Sequence, residues 1–265
     1  DIPCTLKTMF FSLKNRLRKD LALLYEVTKS NFKIQNENSE LGVVWYLLGP
    51  LLLFGIMLFV FSHRLGAGIE KYPLYLLMGI ITWNVFSTGT GRSMTVITGN
   101  AALIKALPLR IEIFVVAAVL HAFITHSIEI LVFMGLLLWF GISPMLLPLY
   151  LVVLCIGFLF TLGVGFFLAS VYVLFRDVQQ VWSVLTRAWW FATPIFYAAT
   201  ETGPGAKLSL LNPMYYYIHL SRELLIYQRI PDITFGILFI SFAVGSLIIG
   251  YSTFRTLRSS FVSLL

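Results

Sequence analysis

Charge is scarce in this sequence. Asp, Glu, Lys and Arg make up 12% of the 265 residues, while 58% are hydrophobic and the mean hydropathy is +0.87. Those proportions exclude a soluble globular domain. Cysteine is nearly missing. Cys4 and Cys155 stand far apart in the chain, so neither a disulfide nor a metal framework is indicated. No G-x-x-x-x-G-K-[ST] loop occurs, which excludes ATP binding of that kind in this chain. Glu112, Glu129 and Asp177 are spread over both ends and the middle of the expected bilayer, too far apart for paired acid–base work. The first 40 residues lack the apolar h-region of a signal peptide. Strand-like alternation is lacking as well.

What the sequence has is long uncharged runs. Val43–Ser62 holds 20 residues without a charge, which at about 1.5 Å per helical residue crosses a hydrocarbon core of roughly 30 Å. Tyr72–Gly91, Pro148–Phe175 and Ile233–Phe254 are similar, and Ile113–Phe140 and Val178–Thr200 qualify despite internal ionisable groups. The expectation is an all-α membrane protein of six transmembrane helices, because lipid-facing backbone must satisfy its own hydrogen bonds. It reads as one transmembrane domain over 1–265, with 1–40 as a cytoplasmic or interfacial segment and 41–265 as the six-helix core.

The net charge of +7 does not point to nucleic acid, because its distribution is topological. With the amino terminus inside, thirteen Lys and Arg fall on the cytoplasmic side and five outside, Arg187 lying within a span. That asymmetry predicts both termini in the cytoplasm. Leu13, Leu17, Leu21, Leu24 and Thr28 recur at helical spacing, with Arg16, Arg18, Lys19 and Lys29 largely off the stripe. This predicts an amphipathic helix on the cytoplasmic lipid surface, or else a solvated helix packed on a partner protein. Residues 92–112 read as a short cytoplasmic helix and a turn, with Pro108 as breaker. In span three, His126 and Glu129 lie about 140° and 80° round from His121, so one face holds all three. A hydrogen-bonded cluster or a wet cavity wall fits that face better than a metal site. Gly157, Gly163 and Gly165 in span four suit close helix contact.

Two stretches are unusual. Phe175–Tyr197 carries Arg176 and Asp177 at a membrane surface, then Arg187, three consecutive aromatics at Trp189, Trp190 and Phe191, and Pro194. Arg187 lies ten residues past Asp177, about 15 Å along a helix and near mid-bilayer, where a charge costs roughly 3 kcal/mol unless paired or wet. Glu129 is one candidate partner; an open conduit is the other reading. Between Ala199 and Pro231 the chain stays apolar yet is too short to span twice. Two half-helices dipping into the outer leaflet and split at Asn212–Pro213 fit it, as does one amphipathic helix on the outer surface. The 23 Phe, 12 Tyr and 6 Trp suit sugar stacking, but also ordinary anchoring in a bilayer.

The pieces SELGVVWYLLGPLL (Ser39–Leu52), YPLYLLMGIITWNVFS (Tyr72–Ser87), GNAALIKALPLRIEIF (Gly99–Phe114), FRDVQQV with TPIFY, and LNPMYYY occur in this order over nearly the whole chain. Together they resemble the permease subunits of polysaccharide-exporting ABC transporters of the Wzm, KpsM and TagG kind. The resemblance implies a homodimer in the bacterial inner membrane with two ATP-binding cassette subunits docked below. It implies no cofactor in this chain, Mg-ATP in the partner subunit, and export of an undecaprenyl diphosphate-linked glycan of O-antigen, capsule or teichoic acid type. By position it implies an ATPase-coupling segment at Asn100, Leu103, Ile104, Lys105 and Arg110. It also implies re-entrant periplasmic half-helices around Asn212, Pro213, Tyr215, Tyr216 and Tyr217. The candidate substrate conduit is then lined by Trp83, Phe86, Arg187, Trp189, Trp190, Phe191, Phe196 and Tyr197. Arg187 is placed to hold the carrier diphosphate and the rings to slide along sugars. A drug or lipid exporter of the same fold, and an intramembrane transferase built on Glu129 and the histidines, are the alternatives.

Overall fold

The computed structural model describes residues 18–33, 42–63, 66, 68–107, 109–198 and 209–264, and among these the regular structure is helical with no strand. In chain order the α-helices are α1 (residues 18–33), α2 (Trp45–Phe61), α3 (Tyr72–Gly99), α4 (Ala101–Ala106), α5 (Glu112–Trp139), α6 (Leu147–Leu174), α7 (Val178–Ala192), α8 (Pro213–Leu225) and α9 (Ile233–Leu264). By length and composition α5, α6 and the Ile233–Phe261 part of α9 are apolar enough to cross a membrane, and α2 is a shorter apolar helix. The expected interfacial residues 13–17 and the remainder of 1–17 lie outside the described residues.

Helix α3 is the centre, packed on α2, α5, α6 and α8. It is buried around most of its girth from Tyr72 to Ile97, so its sequence shows no single apolar stripe. Its small polar side chains turn back to their own helix. Thr90 Oγ1 donates to the Phe86 carbonyl at 2.8 Å, and Ser93 Oγ to Gly89 at 2.7 Å. Glycine sets the closest crossing in the fold. Gly163 of α6 meets the α9 backbone at Ser246–Leu247, and Gly250 of α9 meets the Gly163 carbonyl in return. A Cβ on either would strike main chain, so the α6–α9 pair requires both glycines.

Two sequence expectations need correction. Residues 92–99 are not a cytoplasmic helix of their own but the last turns of α3. Nothing between Gly91 and Gly99 breaks the helix, which ends where Asn100 leaves helical geometry and donates its side-chain amide to Val96 O at 2.8 Å. The helix at the expected fifth span is also shorter than its apolar run. α7 has 15 residues and stops at Ala192, because Pro194 drives the residue before it, Thr193, into extended backbone. Arg222 is 4% exposed, buried within the protein. The first expected half-helix, around Leu208–Leu211, falls partly outside the described residues, and the sequence expected for the second is helical over α8.

Candidate functional site

The described residues are most elaborately joined where α7 gives way to α8. The extended strand-like segment after Ala192 leaves carbonyls without helical partners, and two side chains collect the loose polar groups. Asn212 is buried; its Nδ2 donates to Thr193 Oγ1 at 2.8 Å. Its Oδ1 accepts from Trp189 Nε1 at 2.8 Å and from the Met214 backbone at 3.0 Å, which caps α8. Pro213 follows at the first helical position, where its missing N–H costs nothing. Arg222, three turns along α8, reaches back. Its Nη1 and Nη2 donate to the carbonyls of Pro194 and Ile195, both at 2.8 Å, and its Nε donates to Tyr75 O at 3.1 Å. The guanidinium lies 3.3 Å from the centroid of the Tyr75 ring. Carbonyl dipoles and a ring face thus solvate a buried cation. Gly79 leaves the room it needs, since a Cβ there would meet Nη2 at 2.6 Å.

The tyrosines of the LNPMYYY segment divide. Tyr217 is buried against Gly157 and stacks on Phe239 at 5.2 Å. Tyr216 donates to Leu210 O at 2.7 Å, tying the chain across Asn212–Pro213. Tyr215 remains half-buried, stacked on His219 at 5.7 Å.

The expected conduit residues also divide. Trp83, Phe86 and Trp189 form one edge-on cluster with Trp182, with centroids 5.3 to 6.4 Å apart. Phe86 is wholly buried, so it backs this cluster and fronts no open surface within the chain. Arg187, Trp190 and Phe191 of α7 meet Trp83 and Leu53 at a cleft of about 490 Å³ between α2, α3 and α7. Arg187 and Phe191 are exposed there, and Trp190 stacks on Phe196 at 5.2 Å. Tyr197 lies beyond; its hydroxyl donates to Phe191 O at 3.2 Å, and it accepts from Tyr75 through its carbonyl at 2.9 Å.

Glu129 is not the partner of Arg187. It is buried, with Oε1 accepting from Asn84 Nδ2 at 2.6 Å and Oε2 bonded to His126 Nδ1 at 2.9 Å. His126 Nε2 continues to the Tyr150 hydroxyl at 3.2 Å. The network bolts α3, α5 and α6 together, which is the hydrogen-bonded cluster the one-sided spacing had indicated. His121, on that same face, bonds instead to Arg92 Nη1 at 2.7 Å and lies edge-on to Phe32 of α1.

At the other end of α3, the short helix α4 presents Leu103 and Lys105 outward. Of the expected coupling residues, Ile104 is 6% exposed and seats α4 on the body, beside Leu107, Ile111 and Arg258. Asn100 is half-buried and occupied with Val96. Arg110 is exposed and bonds Asp20 of α1 at 2.6 Å, while Glu112 bonds Arg258 of α9, also at 2.6 Å. The Asp20 hydrogen bond raises the Arg110 pKa, so the guanidinium stays charged throughout the physiological range. These two ion pairs tie the α4–α5 turn to the helices on either side.

The sequence profile of the ABC-2 type transporter family matches residues 22–226. The chain belongs to that family. Among its relatives, the O-antigen export system permease protein RfbA of Klebsiella pneumoniae is 26% identical over 262 residues, which cover 97% of this chain and all of that protein. RfbA of Myxococcus xanthus is 27% identical over 218 residues, 79% of this chain and 82% of that one. The polysialic acid transport protein KpsM of Escherichia coli is 28% identical over 226 residues, 82% and 86% respectively.

All the candidate residues named so far in α3 to α8 fall within the stretch shared with this ABC-2 family, which closes one residue into the C-cap of α8. Sequence reasoning missed Arg222, Asn84, Tyr150 and Trp182. A signal existed for Arg222: a basic residue inside the apolar LSLLNPMYYYIHLSRELLIY stretch, where a solvated arginine has no place. Tyr150 carried none, since a tyrosine near a span end reads as an interface anchor.

Proposed function

We propose that this chain is the membrane permease of an ABC exporter that moves a lipid-linked polysaccharide across the bacterial inner membrane. The observation that carries this reading is the end-to-end similarity to an O-antigen export permease, which covers 97% of this chain and all of that protein. The chain contributes no ATPase chemistry in this reading; Mg-ATP is hydrolysed by two separate cassette subunits docked on α4 through Leu103, Lys105 and Arg110. Two copies of the chain form the pathway, with α2, α3, α5, α6, α7 and α9 as six spans and both termini cytoplasmic. α8 and the residues before Asn212 then make the re-entrant element on the outer side. Positive charge supports the orientation, because Lys105, Arg110, Arg255 and Arg258 gather at the α4 end.

Within that frame the cleft of Arg187, Trp190 and Phe191 is the segment of each protomer that fronts the conduit. An exposed guanidinium at mid-depth is tolerated where water or an anion reaches it, and the carrier diphosphate is such an anion. Rings beside it offer apolar faces without directional bonds, which suits a polymer that must slide. The buried and mutually bonded His126 and Glu129 do not support the transferase alternative, because no substrate reaches them. The test is genetic and biochemical together. Disrupting the gene is expected to abolish surface polysaccharide and accumulate it inside, and affinity purification of the tagged chain is expected to recover an ATPase subunit. Surface polysaccharide that persists after disruption would overturn the reading.

A further inference from the structure

A second cavity lies apart from the Arg187 cleft, farther toward the start of α3. Tyr75 lines it, eight residues before Trp83, which is about 12 Å along the helix. The far end of α3 carries α4, so this cavity opens at the end of the bundle opposite the coupling helix. Its volume is about 410 Å³, within the range of roughly 300 to 1,000 Å³ typical of small-ligand sites.

The lining is chemically particular. Tyr215 and Tyr227 line it half-buried, the buried Tyr75 lines it with its ring face against Arg222, and His219 stacks beside Tyr215. Charges of both signs stand around them: Glu70 and Glu223 against Arg229. Arg222 forms part of the wall, with three of its five N–H groups committed to the carbonyls of Tyr75, Pro194 and Ile195. A phosphate would meet a guanidinium already largely engaged, and the carboxylates of Glu70 and Glu223 would repel it. The wall is too polar for an acyl chain. Amphipathic rings with interspersed donors and acceptors of both signs match a ligand that has apolar C–H faces and many hydroxyls. The position is braced rather than loose, since the Arg222 staple and the Tyr75 hydroxyl bond to Tyr197 O lock its inner wall.

We propose that this cavity is a saccharide-binding subsite, one per protomer, that takes one or two sugar units of the exported polymer as it leaves the conduit. This rests on the export reading above and adds a place where the glycan itself, not its lipid carrier, is held. Binding at the exit disfavours backsliding between ATP cycles, and because stacking reads ring faces more than substituents, it remains compatible with movement.

The probe is the host strain's own surface polysaccharide, released from lipid by mild acid and sized to short oligosaccharides. It is titrated onto the permease–ATPase complex in nanodiscs, with inorganic phosphate as competitor. Wild type is expected to bind saturably, and Tyr227→Leu to weaken binding at least tenfold. His219→Gln, which preserves volume, is read in parallel in case the first variant does not assemble, with about a fivefold loss expected. No binding by wild type, unchanged binding in the variants, or displacement by phosphate overturns the subsite. The gene disruption separates the two ideas: lost surface polysaccharide with unaffected oligosaccharide binding in both variants rejects the subsite alone, whereas retained surface polysaccharide rejects export.

Discussion

Arg187 and Arg222 are both arginines in apolar surroundings, and the contacts of each decide what it does. Arg222 is enclosed and its nitrogens end on the carbonyls of Tyr75, Pro194 and Ile195. Lysine offers one point charge in place of a planar fork and cannot span those acceptors. Arg222→Lys is expected to destabilise the fold by about 3 kcal/mol or more, read as a lowered unfolding midpoint of the detergent-solubilised protein. A midpoint equal to wild type would show that the staple is dispensable. Arg187 is the opposite case, exposed at a cleft with Glu129 already engaged by Asn84 and His126. Arg187→Gln is accordingly expected to assemble as stably as wild type while export falls by about tenfold, the loss of one charge-assisted contact. Unimpaired export in an assembled complex would reject the diphosphate role.

At the scale of elements, the α6–α9 crossing and the α4 turn carry the sharpest expectations. Gly163→Val places two methyls into the α9 backbone, which cannot swing aside as a side chain would. Overpacking of this kind costs about 1 to 3 kcal/mol, and a lower yield of monodisperse complex on size exclusion is the expected readout. Gly135→Val, on open space in α5, is the matched control. For α4, Leu103→Asp combined with Lys105→Glu is expected to leave the fold intact, because both side chains point outward, and to uncouple ATP hydrolysis from export. Stable complex with intact export would remove α4 from the coupling surface. The sequence located a short helix here but not its orientation: Ile104 looked equivalent to Leu103, and only packing shows that one is buried and the other exposed. The end of α7 was legible in principle, since Pro194 restricts Thr193, but a continuous apolar run outweighed that local signal.

For the whole molecule, the length of α3 sets the geometry. Its 28 residues extend about 42 Å, separating the Tyr75 cavity from α4 by more than a bilayer core. Single cysteines introduced into a Cys4→Ser, Cys155→Ser background are expected to react with an impermeant maleimide from outside intact cells at Ser143 and Asp232. At Asp177 and Ser259 they are expected to react only after permeabilisation. Labelling of Asp177 in intact cells would invert the proposed orientation.

What the sequence determined by itself is what depends on solvent preference alone. Scarce charge and long apolar runs dictate helices in lipid, because backbone groups there have no other partners. The sidedness of Lys and Arg, the close-packing glycines and the family resemblance are likewise one-dimensional signals. Tertiary structure decided everything that depends on which residues meet. It made Arg222 an interior staple, gave Glu129 to Asn84 and His126, and buried Phe86 and Ile104 against their neighbours. The reason is physical: a helix's sequence states how polar each face is, whereas in a bundle buried on many sides the neighbour, not the polarity, determines whether a side chain bonds, packs or stands open.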